Sequence, residues 1–167
     1  MPADTIFAND HKFDLPKGFT WVEPRNPLPN VKLFTDDDIK VDFASYKNTI
    51  LVINFWASWC LPCVREIPSL QKLDQHFNDK ELKVMLVNSN IKWDEHERDF
   101  LTKKLGITDL LNVHDIDLKF LKTQHHQMIL PLTIIVDKQL KIVGKHLGEY
   151  DWTNEKMLKL FNFLIHE

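Results

Sequence analysis

The chain carries two cysteines, Cys60 and Cys63, three residues apart. Two are too few to staple a small disulfide scaffold or to build a four-cysteine zinc site. The pair is therefore either redox-active or incidental. A C-x-x-C does chemistry when its first cysteine sits where a helix begins. Unpaired amide donors and the positive end of the helix dipole then stabilise a thiolate, the form that attacks a disulfide. The second cysteine, about one turn on, can reach the resulting mixed disulfide and resolve it. Pro62 between them is tolerated in a first helical turn, where its missing N–H costs little. Trp56 and Trp59 supply apolar surface beside the reactive sulfur.

The flanking sequence offers the elements such a pair needs. Ile50–Phe55 (ILVINF) is a continuous β-prone run and is expected to be a buried central strand. From about Cys60 the period changes: Val64, Ile67, Leu70, Leu73 and Phe77 mark one face of an amphipathic helix. Leu82–Val87 is again strand-like. Strand, helix and strand in this order imply a right-handed crossover and parallel pairing. The C-x-x-C thus falls at a strand-to-helix junction inside a β-α-β unit, the setting of a redox motif and not of a chance pair.

Before this unit, Val31–Phe34 and Ile39–Phe43 are short runs around an acidic turn, Asp36–Asp38, and are expected to form a hairpin. After it, Trp93–Leu105 is expected to be helical and to end at Gly106, and Leu118–His125 to be a short helix. Leu132–Asp137 and Leu140–Leu147 are expected to pair across a tight turn at Lys138–Gln139. Thr153–His166 is expected to be a last helix. Together these describe an α/β layered domain with a mixed sheet. Five of the eight prolines lie within the first 29 residues, so Leu15–Asn30 cannot be a helix. It is expected to be an extended arm, with Phe19 and Trp21 available to pin it to the body. The domain plan is accordingly an arm over residues 1–28 and a folded domain over 29–167.

Composition excludes several functions. A formal charge of −3 with no arginine stripe gives no field for nucleic acid. Four glycines cannot build a phosphate loop. No apolar run approaches the roughly 20 residues of a spanning helix, and the N-terminus shows no secretory signal.

The segment Asn54–Pro68, NFWASWCLPCVREIP, resembles the active-site motif of the thioredoxin superfamily. It is similar in particular to the TlpA/ResA group of bacterial thiol–disulfide oxidoreductases. The likeness extends more loosely over residues 29–148. It implies a thioredoxin-like fold, a central mixed sheet flanked by helices, with a β-hairpin extension at its N-terminal side. It also implies exchange of a Cys60–Cys63 disulfide with the cysteines of partner proteins. No cofactor is needed, and electrons come from an upstream dithiol protein. The family's cis-proline falls at Pro131, and Leu130 before it would offer backbone to an extended substrate, alongside Trp59 and Pro62. Glu66 falls on the family's acid and would accept or relay a proton. Asp137 falls on the acid that ends the following strand and is expected to serve a turn. Thioredoxin has a buried aspartate where this chain has Asn54, which cannot take a proton, so Glu66 is the candidate base for Cys63. The Thr or Ser usual after the cis-proline is replaced by Leu132, which bears on partner preference.

Leu61-Pro62 puts no histidine between the cysteines to over-stabilise a thiolate, which favours a reductase over an oxidase. The resemblance suggests a bacterial periplasm or an extracytoplasmic membrane face, reached through a tether outside this sequence. An alternative is a copper-delivery protein with Cys60, Cys63 and His125 or His126 as ligands. Adjacent histidines diverge in most backbone conformations, and no metal site is assigned.

Overall fold

The structure is a computed structural model, describing residues 5–8 and 11–167, with side chains from residue 13 onward. Its centre is a seven-stranded sheet. In chain order the strands are β3 (Phe19–Pro27), β4 (Leu33–Thr35), β5 (Ile50–Trp56), β6 (Leu82–Asn88), β7 (Leu111–Asp115), β8 (Leu132–Val136) and β9 (Lys141–Leu147). In space they run β3-β9-β8-β5-β6-β7-β4. β5, β6 and β7 are parallel, and the other neighbours are antiparallel. Ahead of them β1 (Thr5–Ala8) and β2 (His11–Asp14) form a separate antiparallel pair.

The helix α1 (Leu61–His76) crosses from β5 to β6 as expected. With α4 (Glu155–His166) it covers one face of the sheet; α3 (Lys119–Gln124) covers the other. Side chains alternate along a strand, so β5 feeds both cores. Ile50, Val52 and Trp56 face α1 and α4, whereas Leu51, Ile53 and Phe55 face α3. All seven residues of β5 are buried, which accounts for its unbroken apolar run. The same alternation sends Asn54 and, on β8, Thr133 to the α1 face.

Several segments depart from the sequence reading. Residues 19–27 of the expected arm form β3, the edge strand beside β9, so the sheet extends across the boundary drawn after residue 28. Gly144 makes room for this docking: a Cβ there would lie 2.3 Å from the Phe19 ring. Arg25 fastens the strand further, to Asp137 at 3.0 Å and Glu167 at 2.8 Å. Residues 1–4, 9 and 10 of the arm lie outside the described residues.

The expected hairpin is reduced to a bridge between Phe34 and Lys40 around the acidic turn. Asp42 captures the Ala44 amide at 3.0 Å and starts a 3₁₀ turn over Phe43–Tyr46, which ends the second run early. The Trp93–Leu105 helix begins later, where Asp94 caps the Glu97 amide. It runs as α2 (Glu95–Asp99) and then as a π turn over Phe100–Lys104. β7 had no counterpart in the sequence reading.

Candidate active site

β5 ends at Trp56, and a turn returns the Cys60 amide to the Ala57 carbonyl at 3.1 Å. Cys60 is then the N-cap of α1. Its backbone is extended, and its sulfur accepts the Cys63 amide at 3.3 Å. Cys60 and Cys63 are joined by a disulfide, their Cα atoms 5.3 Å apart. The two sulfurs live in different surroundings. Cys63 is completely buried and Cys60 is 5% exposed. The neighbours of Cys60 open outward: Trp59 is 72% and Leu61 62% exposed.

Pro131 follows a cis peptide from Leu130. Leu132 pairs with Phe55, so Pro131 lies beside the end of β5 from which the Ala57–Cys60 turn departs. The Pro131 carbonyl accepts the Gly148 amide at 2.9 Å. Leu130 is partly exposed and Ile129 projects into solvent beside it.

Glu66 stands one turn beyond Cys63 on the buried face of α1. Three donors converge on its carboxyl. Asn54 Nδ2 reaches Oε1 at 2.7 Å; Trp152 Nε1 at 3.0 Å and the Tyr150 amide at 3.1 Å reach Oε2. Burial raises its pKa from 4.5 to about 7, against the pull of these three donors and with the help of the Glu149 charge. Asn54 Nδ2 also donates to Thr133 Oγ1 at 2.9 Å. The ring of His146, buried on β9, packs against Tyr150 and Trp152. An acid poised near neutrality, next in the helix after a buried cysteine, can take the proton that the cysteine must lose to attack.

The Redoxin family model matches residues 23–160. The chain belongs to the Redoxin family. The thioredoxin-like protein YneN of Bacillus subtilis is 33% identical over 129 residues, covering 76% of this chain and 73% of that one. The thiol-disulfide oxidoreductase ResA of Bacillus cereus is 23% identical over 128 residues, covering 72% and 68%. A DsbF homologue from Corynebacterium diphtheriae shares the fold, with a TM-score of 0.71 and 23% identity over 97% of this chain and 99% of that one. With the Cys60–Cys63 disulfide in place, these likenesses make this member of the Redoxin family a thiol–disulfide oxidoreductase of thioredoxin-like fold.

The turn that carries the Redoxin cysteines is held from its other side. Ser58 Oγ donates to Glu97 at 2.9 Å, Asn90 Nδ2 donates to the other Glu97 oxygen at 2.6 Å, and Trp56 Nε1 donates to Asn112 at 3.1 Å. The acid has its own opening: a cleft of about 460 Å³ lined by Arg65, Glu66, Ser69, Glu149, Tyr150 and Asp151. Arg65 and Glu149 pair across it at 2.8 Å. Arg65 thus meets Glu149, and Glu66 turns inward. Asp137 serves its turn, accepting the amides of Gln139 and Lys141 at 2.9 Å each.

His125 is half-buried and His126 exposed. Among the described residues no three His, Cys, Asp or Glu side chains are grouped to hold a metal ion, and the geometry does not favour the copper reading. Sequence reasoning missed Thr133, Tyr150 and Trp152. The one signal it could have used was position parity, which puts Thr133 on the face of β8 toward α1.

Proposed function

We propose that the protein reduces disulfides of partner proteins, with Cys60 as nucleophile, Cys63 as resolving thiol and Glu66 as proton acceptor. The single observation that carries this reading is the inequality of the two sulfurs. Cys60 caps a helix N-terminus and keeps 5% exposure between the exposed Trp59 and Leu61, and Cys63 is fully buried, one turn before a buried acid.

In the reduced protein the Cys60 thiolate attacks one sulfur of the partner disulfide. A Cys60–partner bond forms, the partner bond breaks, and the first partner thiolate leaves. Cys63 gives its proton to the Glu66 carboxylate and attacks the Cys60 sulfur. The Cys60–Cys63 bond closes and the second partner thiolate departs, so two electrons have passed to the partner. The Glu66 proton leaves by the cleft between Arg65 and Glu149. The partner lies extended over Trp59 and Pro62 with its backbone along Leu130, and Pro131 shapes the floor of that groove.

Leu61 and Pro62 add no charge beside Cys60, so the thiolate gains only what the helix end supplies, which favours the reducing direction. An upstream dithiol protein restores the pair. The likeness to the TlpA/ResA group supports an extracytoplasmic setting in a bacterium. Among the described residues no helix is long and apolar enough to cross a membrane.

Equilibration with graded glutathione buffers, followed by thiol trapping, tests the direction. A potential near about −270 mV is expected of a reductase, and one near about −120 mV would make the protein an oxidase.

A further inference from the structure

Asn54 makes both of its hydrogen bonds from one atom. Nδ2 donates to Glu66 Oε1 at 2.7 Å and to Thr133 Oγ1 at 2.9 Å, while Oδ1 is buried without a hydrogen-bond partner among the described residues. A buried amide oxygen with no donor is costly, and Asn54 is fully buried on the central strand. The three groups that contact the Glu66 carboxyl, two side chains and the Tyr150 amide, are all donors. That set suits a carboxylate. A proton arriving on Oε1 would point at the Asn54 NH₂ group, donor against donor.

A half turn of the amide removes the conflict. The NH₂ and C=O ends of an amide have nearly the same shape, so they exchange places without repacking. Oδ1 would then face Glu66 and Thr133. The protonated acid can donate to it, and the Thr133 hydroxyl, an acceptor here, can rotate and donate as well. The orphaned oxygen gains two donors in the state in which Glu66 holds a proton.

We propose that Asn54 is an amide rotor whose side chain turns, with the Thr133 hydroxyl following, each time Glu66 gains or loses its proton. The inference rests on the reading of Glu66 as the proton acceptor and deepens it. Asn54 acts through Glu66 and is a positioning residue. It gives either charge state of the acid a matched partner, which a fixed donor cannot do. The asparagine at this position is then a proton-following group in its own right.

Other ionisable groups surround Glu66. Cys63 and Arg65 share its helix; Glu149, Tyr150 and Asp151 come from the loop after β9, and His146 from β9 itself. In the oxidised protein the cysteines are bonded. Arg65 and Glu149 are paired, and burial holds the His146 pKa below its usual value, offset in part by the Glu149 backbone. A midpoint near 7 at Asn54 would therefore belong to Glu66.

The test is a pH titration of the oxidised, isotope-labelled protein by NMR, following the Asn54 side-chain NH₂ and the Glu66 carboxyl carbon together. The rotor predicts that both move with one midpoint, the NH₂ protons losing their hydrogen-bonded shifts as the acid protonates. Asn54→Leu supplies a second readout. Loss of a fixed donor would raise the proton affinity of Glu66 about tenfold or more, because a bond to the charged form alone disappears. The rotor predicts a change below about threefold, since each charge state loses a partner. A Glu66 that titrates beside an unmoved Asn54 amide, or a tenfold rise in Asn54→Leu, overturns the rotor and leaves the acid's role standing. A Glu66 carbon that does not titrate near neutrality overturns both. The wild-type resonances decide alone if Asn54→Leu does not fold.

Discussion

The two sides of the cysteine pair invert the usual rule of protein surfaces. Around Cys60 the exposed residues are apolar: Trp59, Leu61 and, across the sheet end, Ile129. Behind Cys63 four polar residues, Asn54, Glu66, Thr133 and His146, are buried within an otherwise apolar core. Large exposed apolar groups beside a reactive sulfur serve a partner, because burial on association recovers what exposure costs. Buried polar groups must be matched to one another, and a group matched imperfectly responds to a proton. One side of the pair is thus built for encounter and the other for proton bookkeeping. The disulfide, bridged through one helical turn, joins the two.

The largest effects are expected on the encounter side. Cys60→Ser is expected to abolish exchange with a model disulfide substrate, whereas Cys63→Ser keeps the first attack and accumulates the mixed disulfide. Activity retained in Cys60→Ser would erase the distinction. On the proton side, Glu66→Gln is expected to slow closure of the Cys60–Cys63 bond about 10²-fold and to remove the pH inflection near 7. Stopped-flow closure rates against pH would show it, and an unchanged profile would remove Glu66 from the proton path.

The same acid carries a stability signature. Its folded pKa of about 7 lies above its unfolded value of 4.5. The favourable contribution is complete below the unfolded value and is lost as pH rises through 7, because only the unfolded chain ionises in that window. The loss amounts to about 3 kcal/mol. Urea midpoints at acid and at mildly alkaline pH should fall accordingly, and Glu66→Gln should flatten the slope. The smallest effect is expected at Trp59→Ala. Removal of an exposed ring should leave stability within about 0.5 kcal/mol and raise KM for a protein substrate several-fold with little change in kcat. A matching loss of stability would mean that Trp59 serves the fold.

The encounter side was legible in the sequence and the proton side only in part. Cys60, Pro62, Cys63 and Trp59 lie within five consecutive residues, and the strand and helix that position them have strong local periods. Glu66 was reached through a family resemblance, and the helical pattern placed Val64 on the inner face while leaving Glu66 ambiguous. In the structure Val64 is half-buried and Glu66 is inside. Two of the three donors to Glu66, the Tyr150 amide and Trp152, arrive from 84 and 86 residues away, and Thr133 reaches Asn54 from 79 residues away, distances over which a single sequence carries no spacing signal. The same limit hid the edges of the sheet. The prolines of β3 rule out a helix and are compatible with an arm or an edge strand alike. β7, short and polar at Asn112, His114 and Asp115, shows its pattern only once β6 lies beside it.

The central claim is that the two sulfurs divide the work by position. The direct measurement is alkylation of the fully reduced protein by less than one equivalent of iodoacetamide at neutral pH, with the label located by mass spectrometry. The label should fall on Cys60 in large excess, Cys63 reacting only after unfolding. Label divided evenly between the two, or concentrated on Cys63, would contradict the account.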